Sequence, residues 1–254
     1  MKLFELFKGK IYTPEQVLTA GIDNCIPVGT PSAQIKKNFS RLVFAIQGNA
    51  YAVYLKKQKQ SGEYALEKYL TKIIPPKNSA KETIARVARE FENMDKFFLS
   101  IAQSRKARAG GAFEDIIKTL FKKLDYPFEE QQIINGKPDF LMPSKEHFDR
   151  NAMDCIIFTA KRTLRERWRQ IVTEGTRGLG FFLATIDAKI TSQQLKEIKG
   201  NRIYLVLPAS MKKSIKHYAI APNVISFESF FKDYLDPALK RWKKAGLIQG
   251  KHRK

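Results

Sequence analysis

An α/β fold is predicted for this chain, with a central mixed β-sheet between helices and a helical N-terminal flank. Apolar residues recur at three- and four-residue spacing between 79 and 124, as in amphipathic helices. Beyond 130 the period shortens, and strand-like and helix-like segments alternate as far as 227. The 254 residues suffice for one large domain of this class with an elaborated flank. The boundary is placed between a flank at 1–78 and a core at 79–254 that ends in a basic tail.

Residues 1–78 mix short apolar patches with turn signals such as Pro27-Val28-Gly29-Thr30-Pro31, and read as helices and connections. Within them, 51–69 is both aromatic and basic. Ser79-Ala80-Lys81-Glu82 has the form of a capping box, and Ile84, Val87, Phe91, Met94, Phe98 and Ile101 then mark one inward face. The basic run 104–111, closing on Gly110 and Gly111, predicts the end of that helix. A second helix carries Phe113, Ile116, Ile117, Leu120, Phe121 and Leu124 inward.

Segments 131–134 and 138–142 flank Asn135-Gly136, the signal of a tight hairpin. Further strands are expected at 153–159, 180–186, 202–207 and 224–227, with helices at about 163–174 and 193–198. From Leu239 onward Lys240, Arg241, Lys243, Lys244, Lys251, Arg253 and Lys254 occur without an acid, which reads as a solvated tail or a phosphate-contacting arm.

Charge narrows the function. The 46 Lys and Arg residues against 25 Asp and Glu leave a formal net charge of +21, and a polyanionic partner is the economical explanation. Nucleic acid comes before a membrane, because no stretch approaches the roughly 18–20 consecutive apolar residues of a spanning helix. The opening MKLFELFKGK is charged every few positions, unlike a signal peptide, so a soluble cytoplasmic protein is expected. Cys25 and Cys155 are far apart, and His147, His217 and His252 are isolated from one another and from either cysteine. A zinc site or a Cys/His nucleophile pair has little support, and chemistry must rest on carboxylates and lysine.

Hydrolysis of a phosphodiester calls for a divalent cation on hard oxygen ligands, an activated water, and positive charge for the transition state. Asp139 begins an apolar strand, Lys161 ends the next, and Glu174 lies in the helix that follows, one position from the face formed by Leu164, Trp168, Ile171 and Gly175. Each has an ordinary alternative. Pro138-Asp139 could be turn chemistry, Lys161 a strand end, and Glu174 a solvated helix acid. Only their joint order and neighbours make a site.

With these residues in place, the run from Gly110 to Glu174 resembles type II restriction endonucleases of the PD-(D/E)XK superfamily. The similarity is to the EcoRII/PspGI-like subgroup, which cuts sites containing CC and GG steps. There the acid two residues before the lysine is missing and a glutamate on the next helix replaces it; Thr159 and Glu174 match that departure. The resemblance implies a restriction-endonuclease-like α/β/α core. It also implies Mg²⁺ held by Asp139, Glu174 and the Ala160 carbonyl, Lys161 as the catalytic lysine, and Glu114 as a further catalytic or second-metal carboxylate.

The same resemblance implies a homodimer on duplex DNA, helped by the 1–78 flank, with a DNA methyltransferase as functional partner in the cell. Arg165, Glu166 and Arg167 have the donors and acceptor to read neighbouring G·C pairs, although Thr163-x-x-Glu166 is also a capping box. Arg105, Lys106 and Arg108 are expected on phosphates, and Tyr54, Tyr64 and Tyr69 are candidates for stacking on flipped nucleotides or for packing in the flank. A repair or recombination nuclease of the same superfamily, or a non-catalytic basic nucleic-acid-binding protein, stays open as an alternative.

Overall fold

The computed structural model describes residues 3–134, 136–164 and 180–248, the side chains of 106–111 excepted. Six helices precede the first strand: α1 (Leu3–Lys8), α2 (Pro14–Asp23), α3 (Ser32–Lys37), α4 (Phe39–Ile73), α5 (Ala80–Arg89) and α6 (Phe91–Lys123). Contacts divide the chain into two compact units, one of residues 1–27 with 46–112 and one of 28–45 with 113–254.

The first unit is helical. Thr13 starts α2 through a capping box with Gln16, and Pro14 fills a first-turn position where no amide hydrogen is needed. Phe7 meets Phe97 edge-on with ring centroids 5.6 Å apart, and Leu3, Ala65 and Ile101 complete that small core. Gly21 lets α2 approach α4 closely, since a Cβ there would lie 2.8 Å from the Ala50 Cβ and 3.0 Å from its backbone nitrogen. Gly21→Ala is therefore expected to destabilise the protein by about 1–3 kcal/mol in a denaturant melt, despite alanine's better helix propensity.

The capping box of Ser79 and Glu82 is present, but the helix it starts stops at Glu90, where φ is −86° and ψ 7°. That break changes the helical phase. Phe97 and Ile101 are buried, whereas Ile84, Phe91 and Phe98 are 68%, 75% and 53% exposed, so half of the expected inward stripe faces outward. Nor does a helix end at Gly110-Gly111, because α6 continues to Lys123. Glycine costs only about 1 kcal/mol in a helix interior. The burial of Phe113, Ile116, Ile117, Leu120 and Phe121 just beyond outweighs it.

The second unit is built on a six-stranded mixed sheet in the order β1 (Glu129–Glu130), β2 (Phe140–Met142), β3 (Ile156–Ala160), β4 (Gly180–Ala184), β5 (Ile203–Leu207), β6 (Val224–Ser226). Pairs β1–β2 and β2–β3 are antiparallel and the rest parallel. Between and after the strands lie α7 (Lys145–Asn151), α8 (Ser192–Gly200), α9 (Ala209–Ser214), α10 (Lys216–Ile220), α11 (Phe227–Phe230) and α12 (Asp236–Lys244). The apolar runs IIFTA of β3 and GFFLA of β4 are buried at every position, as strands covered on both faces must be.

On one face Phe121 of α6 packs against Phe140 and Phe158, with Phe230 of α11 on Phe158 and Phe182. On the other, Leu195 and Ile198 of α8 cover Ile157, Leu183 and Leu205. The layers are thus helix, sheet, helix, as the alternation of segments required. The expected helix at 163–174 lies outside the described residues from 165 onward.

The first hairpin differs from its sequence signal. Its outer strand is Glu129–Glu130, not 131–134, and the ladder pairs Glu129 with Leu141 and Glu130 with Phe140. Gln131 turns into the left-handed region, φ 55°, and the Ile134 amide donates to the Gly136 carbonyl at 2.9 Å. The end of the chain differs too. Residues 236–244 are helical and Trp242 is fully buried, so the solvated-tail reading fails for this stretch; a large aromatic ring interrupts the lysines and docks.

Candidate active site

Asp139 and Lys161 meet because their strands are adjacent and antiparallel. Phe140 pairs with Phe158, so one step beyond the ladder Asp139 stands opposite Thr159. The buried Asp139 carboxylate is fully engaged: Oδ2 accepts the Ala160 amide hydrogen at 2.8 Å, and Lys161 Nζ donates to both oxygens at 2.9 Å. Lys161 is fixed from behind, since its backbone amide donates to the Ala184 carbonyl of β4 at 2.9 Å.

Glu114, in the buried-face turn of α6, joins this pair. Its Oε2 lies 3.9 Å from Lys161 Nζ. Burial raises the Glu114 carboxyl above its ordinary range; the nearby Asp139 charge adds to the rise, and Lys161 opposes it. A raised native pKa means that the folded protein favours the protonated acid, so ionised Glu114 lowers stability at neutral pH and the loss is relieved as pH falls through the raised value. Glu114→Gln is accordingly expected to raise the melting temperature of metal-free protein at pH 7–8. The gain should shrink in melts run toward the ordinary carboxylate range.

Sequence reasoning missed Gln131. Its amide nitrogen donates to Asp139 Oδ1 at 3.2 Å and to Glu114 Oε1 at 3.4 Å, so one side chain bridges both carboxylates. Only its left-handed backbone delivers that side chain, and a residue expected in regular strand carried no signal of it. Thr159, at the position of the absent acid, is fully buried, and its hydroxyl has no partner among the described residues.

Among the described residues no group of three or more His, Cys, Asp or Glu side chains converges as metal ligands. The donor set at Asp139 and Glu114 nonetheless suits a hard cation: both are oxygen ligands, and an ammonium already sits between them. Glu174, Arg165, Glu166 and Arg167, and the side chains of Lys106 and Arg108, fall outside what is described.

Of the other expected residues, Arg105 donates from Nε to Gln58 Oε1 at 2.7 Å. Gln58 in turn donates to the Tyr54 hydroxyl at 2.8 Å, and Tyr54 is buried in the helical unit. Tyr64 carries Lys10 Nζ 5.1 Å from its ring centroid. The Tyr69 hydroxyl donates to Glu90, and that bond raises its pKa. Among the described residues no helix is long and apolar enough to cross a membrane.

The chain is 29% identical over 136 residues to the type II restriction enzyme EcoRII of Escherichia coli, covering 50% of this chain and 34% of that protein. It is 29% identical over 154 residues to the type II restriction enzyme SsoII of Shigella sonnei, covering 56% of this chain and 50% of that one. Both matches thus span half or less of the relatives' own length. The fold matches that of metal-depleted Ecl18kI in complex with uncleaved, modified DNA, with a TM-score of 0.78 at 23% identity over 98% of this chain and 85% of that one. It also matches the restriction endonuclease PspGI in its substrate DNA complex, with a TM-score of 0.64 at 18% identity over 92% of this chain and 96% of that one. The model of the EcoRII C-terminal family covers residues 51–231, and the chain belongs to that family.

Proposed function

We propose that this protein is a type II restriction endonuclease that cleaves duplex DNA at a short, near-palindromic site containing CC and GG steps, of the CCWGG or CCNGG type. The observation that carries the proposal is the contact of Lys161 Nζ with both Asp139 oxygens at the paired ends of β2 and β3. The +21 charge supplies the field for a polyanion.

Asp139, Glu174 and the Ala160 carbonyl would hold Mg²⁺, with Glu114 beside them. When bound, the cation lowers the pKa of a coordinated water and neutralises charge on the phosphate. Asp139 is oriented by the Ala160 amide and by Lys161. Lys161 orients or deprotonates the attacking water and stabilises the charge that develops on the phosphoryl oxygens. In-line attack leaves a 5′-phosphate and a 3′-hydroxyl.

Two protomers, paired with help from the 1–78 flank, would each cut one strand of the near-palindrome. Family membership and the resemblance to DNA-bound relatives support this reading. In the cell a methyltransferase of the same specificity would protect the host's own sites.

Sequencing the ends produced from a plasmid in Mg²⁺ tests the proposal. Discrete ends at one CC/GG-containing site are expected, and preference for branched substrates would mean a repair nuclease instead. Recognition is tested separately. Arg165→Ala or Arg167→Ala should lose about 1–3 kcal/mol of discrimination at a G·C position for each bidentate pair removed. Uniform weakening on all sequences would mean that these arginines contact phosphate alone.

A further inference from the structure

Asp139 and Glu114 are bridged twice. On one side Lys161 Nζ lies 2.9 Å from Asp139 Oδ2 and 3.9 Å from Glu114 Oε2. On the other, the Gln131 amide nitrogen donates to the remaining oxygen of each acid, Asp139 Oδ1 at 3.2 Å and Glu114 Oε1 at 3.4 Å. Its NH2 group has two hydrogens to give, one for each partner. The two bridges differ in charge. The Lys161 ammonium competes with a divalent cation for the same carboxylates, whereas the neutral Gln131 amide can hold them while a cation is bound.

The backbone of Gln131 singles it out as well. Among the described residues three that are not glycine take a left-handed φ: Asp125, Gln131 and Arg202. Asp125 and Arg202 stand just past the ends of α6 and α8, where helices commonly close with such a turn. Gln131 instead follows the strand β1 and is exposed, so neither a helix end nor burial calls for its conformation. Residues other than glycine resist this region, and where one is held there the surroundings point to a function. Its amide N–H donates to the Asp139 carbonyl at 3.3 Å, which keeps Gln131 opposite Asp139 while the turn carries its side chain between the two acids.

We infer that Gln131 is a positioning residue that ties Glu114 of α6 to the Asp139 centre, so that both acids serve one divalent cation and the affinity for that cation depends on Gln131. The inference rests on the endonuclease reading above and adds to it a residue that orients the acids without itself holding the ion. Removing such a residue typically lowers metal affinity by about 10–100-fold.

The test compares Gln131→Gly and Gln131→Asn with the parent full chain. Both replacements accept a left-handed φ more readily than glutamine, so the backbone turn is kept; glycine removes the amide, and asparagine shortens its reach by one methylene. The Mg²⁺ concentration for half-maximal single-turnover cleavage of a plasmid should rise by about 10–100-fold in both variants, with the rate at saturating Mg²⁺ falling far less. A second measurement does not depend on cleavage. The Ca²⁺ concentration that gives half of the rise in melting temperature on an uncut duplex should increase by a similar factor. In a Glu114→Ala background the same substitutions should add little to either midpoint, because the acid that Gln131 ties in is gone. Midpoints equal to the parent's, or an effect of full size that persists without Glu114, overturn the inference. Lower melting in metal-free buffer with unmoved midpoints would make Gln131 a hairpin residue alone. If the parent cuts and the midpoints do not move, only the role of Gln131 fails; a parent that never cuts sinks the endonuclease reading itself.

Discussion

Lys161→Ala is expected to slow cleavage by about 10²–10³-fold, the usual loss when one preorganised donor to transition-state charge is removed. Binding of uncut DNA in Ca²⁺ should survive. The separation follows from the geometry, because the ammonium is a third exposed and touches both oxygens of an almost fully buried carboxylate. Removing it leaves Asp139 with the Ala160 amide and the Gln131 side chain, both of which remain to orient it for a cation. Single-turnover cleavage and a filter or gel binding assay on one preparation read both quantities. Undiminished cleavage would remove Lys161 from the chemistry. Loss of binding with cleavage would make it a structural residue, and a parent protein that binds but never cuts would be a binding module.

Trp242→Ala carries the largest expected effect on stability, about 3–5 kcal/mol for a fully buried aromatic residue. Trp242 is completely enclosed, and its indole Nε1 donates to Asp154 at both the backbone oxygen, 3.1 Å, and Oδ2, 3.0 Å. Asp154 also receives Arg241 and faces His147 Nε2 at 3.1 Å, so truncation leaves a cavity and withdraws a donor from a shared acceptor. Trp242→Phe restores most of the volume and isolates the cost of the lost N–H. Urea unfolding at constant slope measures both. A loss below about 1 kcal/mol for the alanine variant would mean that α12 contributes little to the core.

What could be read before the structure was what periodicity and joint order encode. Buried strands such as 156–160 are continuous apolar runs, and Asp139 and Lys161 flank adjacent strands, so their meeting followed from pairing alone. What escaped depends on backbone conformation or on choices between similar phases. Phe97 and Phe98 are equally apolar, and only the packing of Phe97 on Phe7 distinguishes the buried one. Gly110-Gly111 carried a stop signal that tertiary burial overrode. Gln131 looked like one more strand residue, and its role arises from a left-handed φ. The basic tail concealed Trp242 because charge was counted over the whole stretch and one ring was not weighed against it.

The three-pair ladder between β2 and β3 has a consequence for how this chain can tolerate change. Side chains alternate faces along a strand, so inserting one residue between 139 and 142 would turn the Asp139 carboxylate away from Lys161 and present its apolar neighbour instead. Insertions in 145–151, in the connecting helix, leave the ladder intact. Length variation should therefore be harmless on one side of Met142 and lethal to activity on the other.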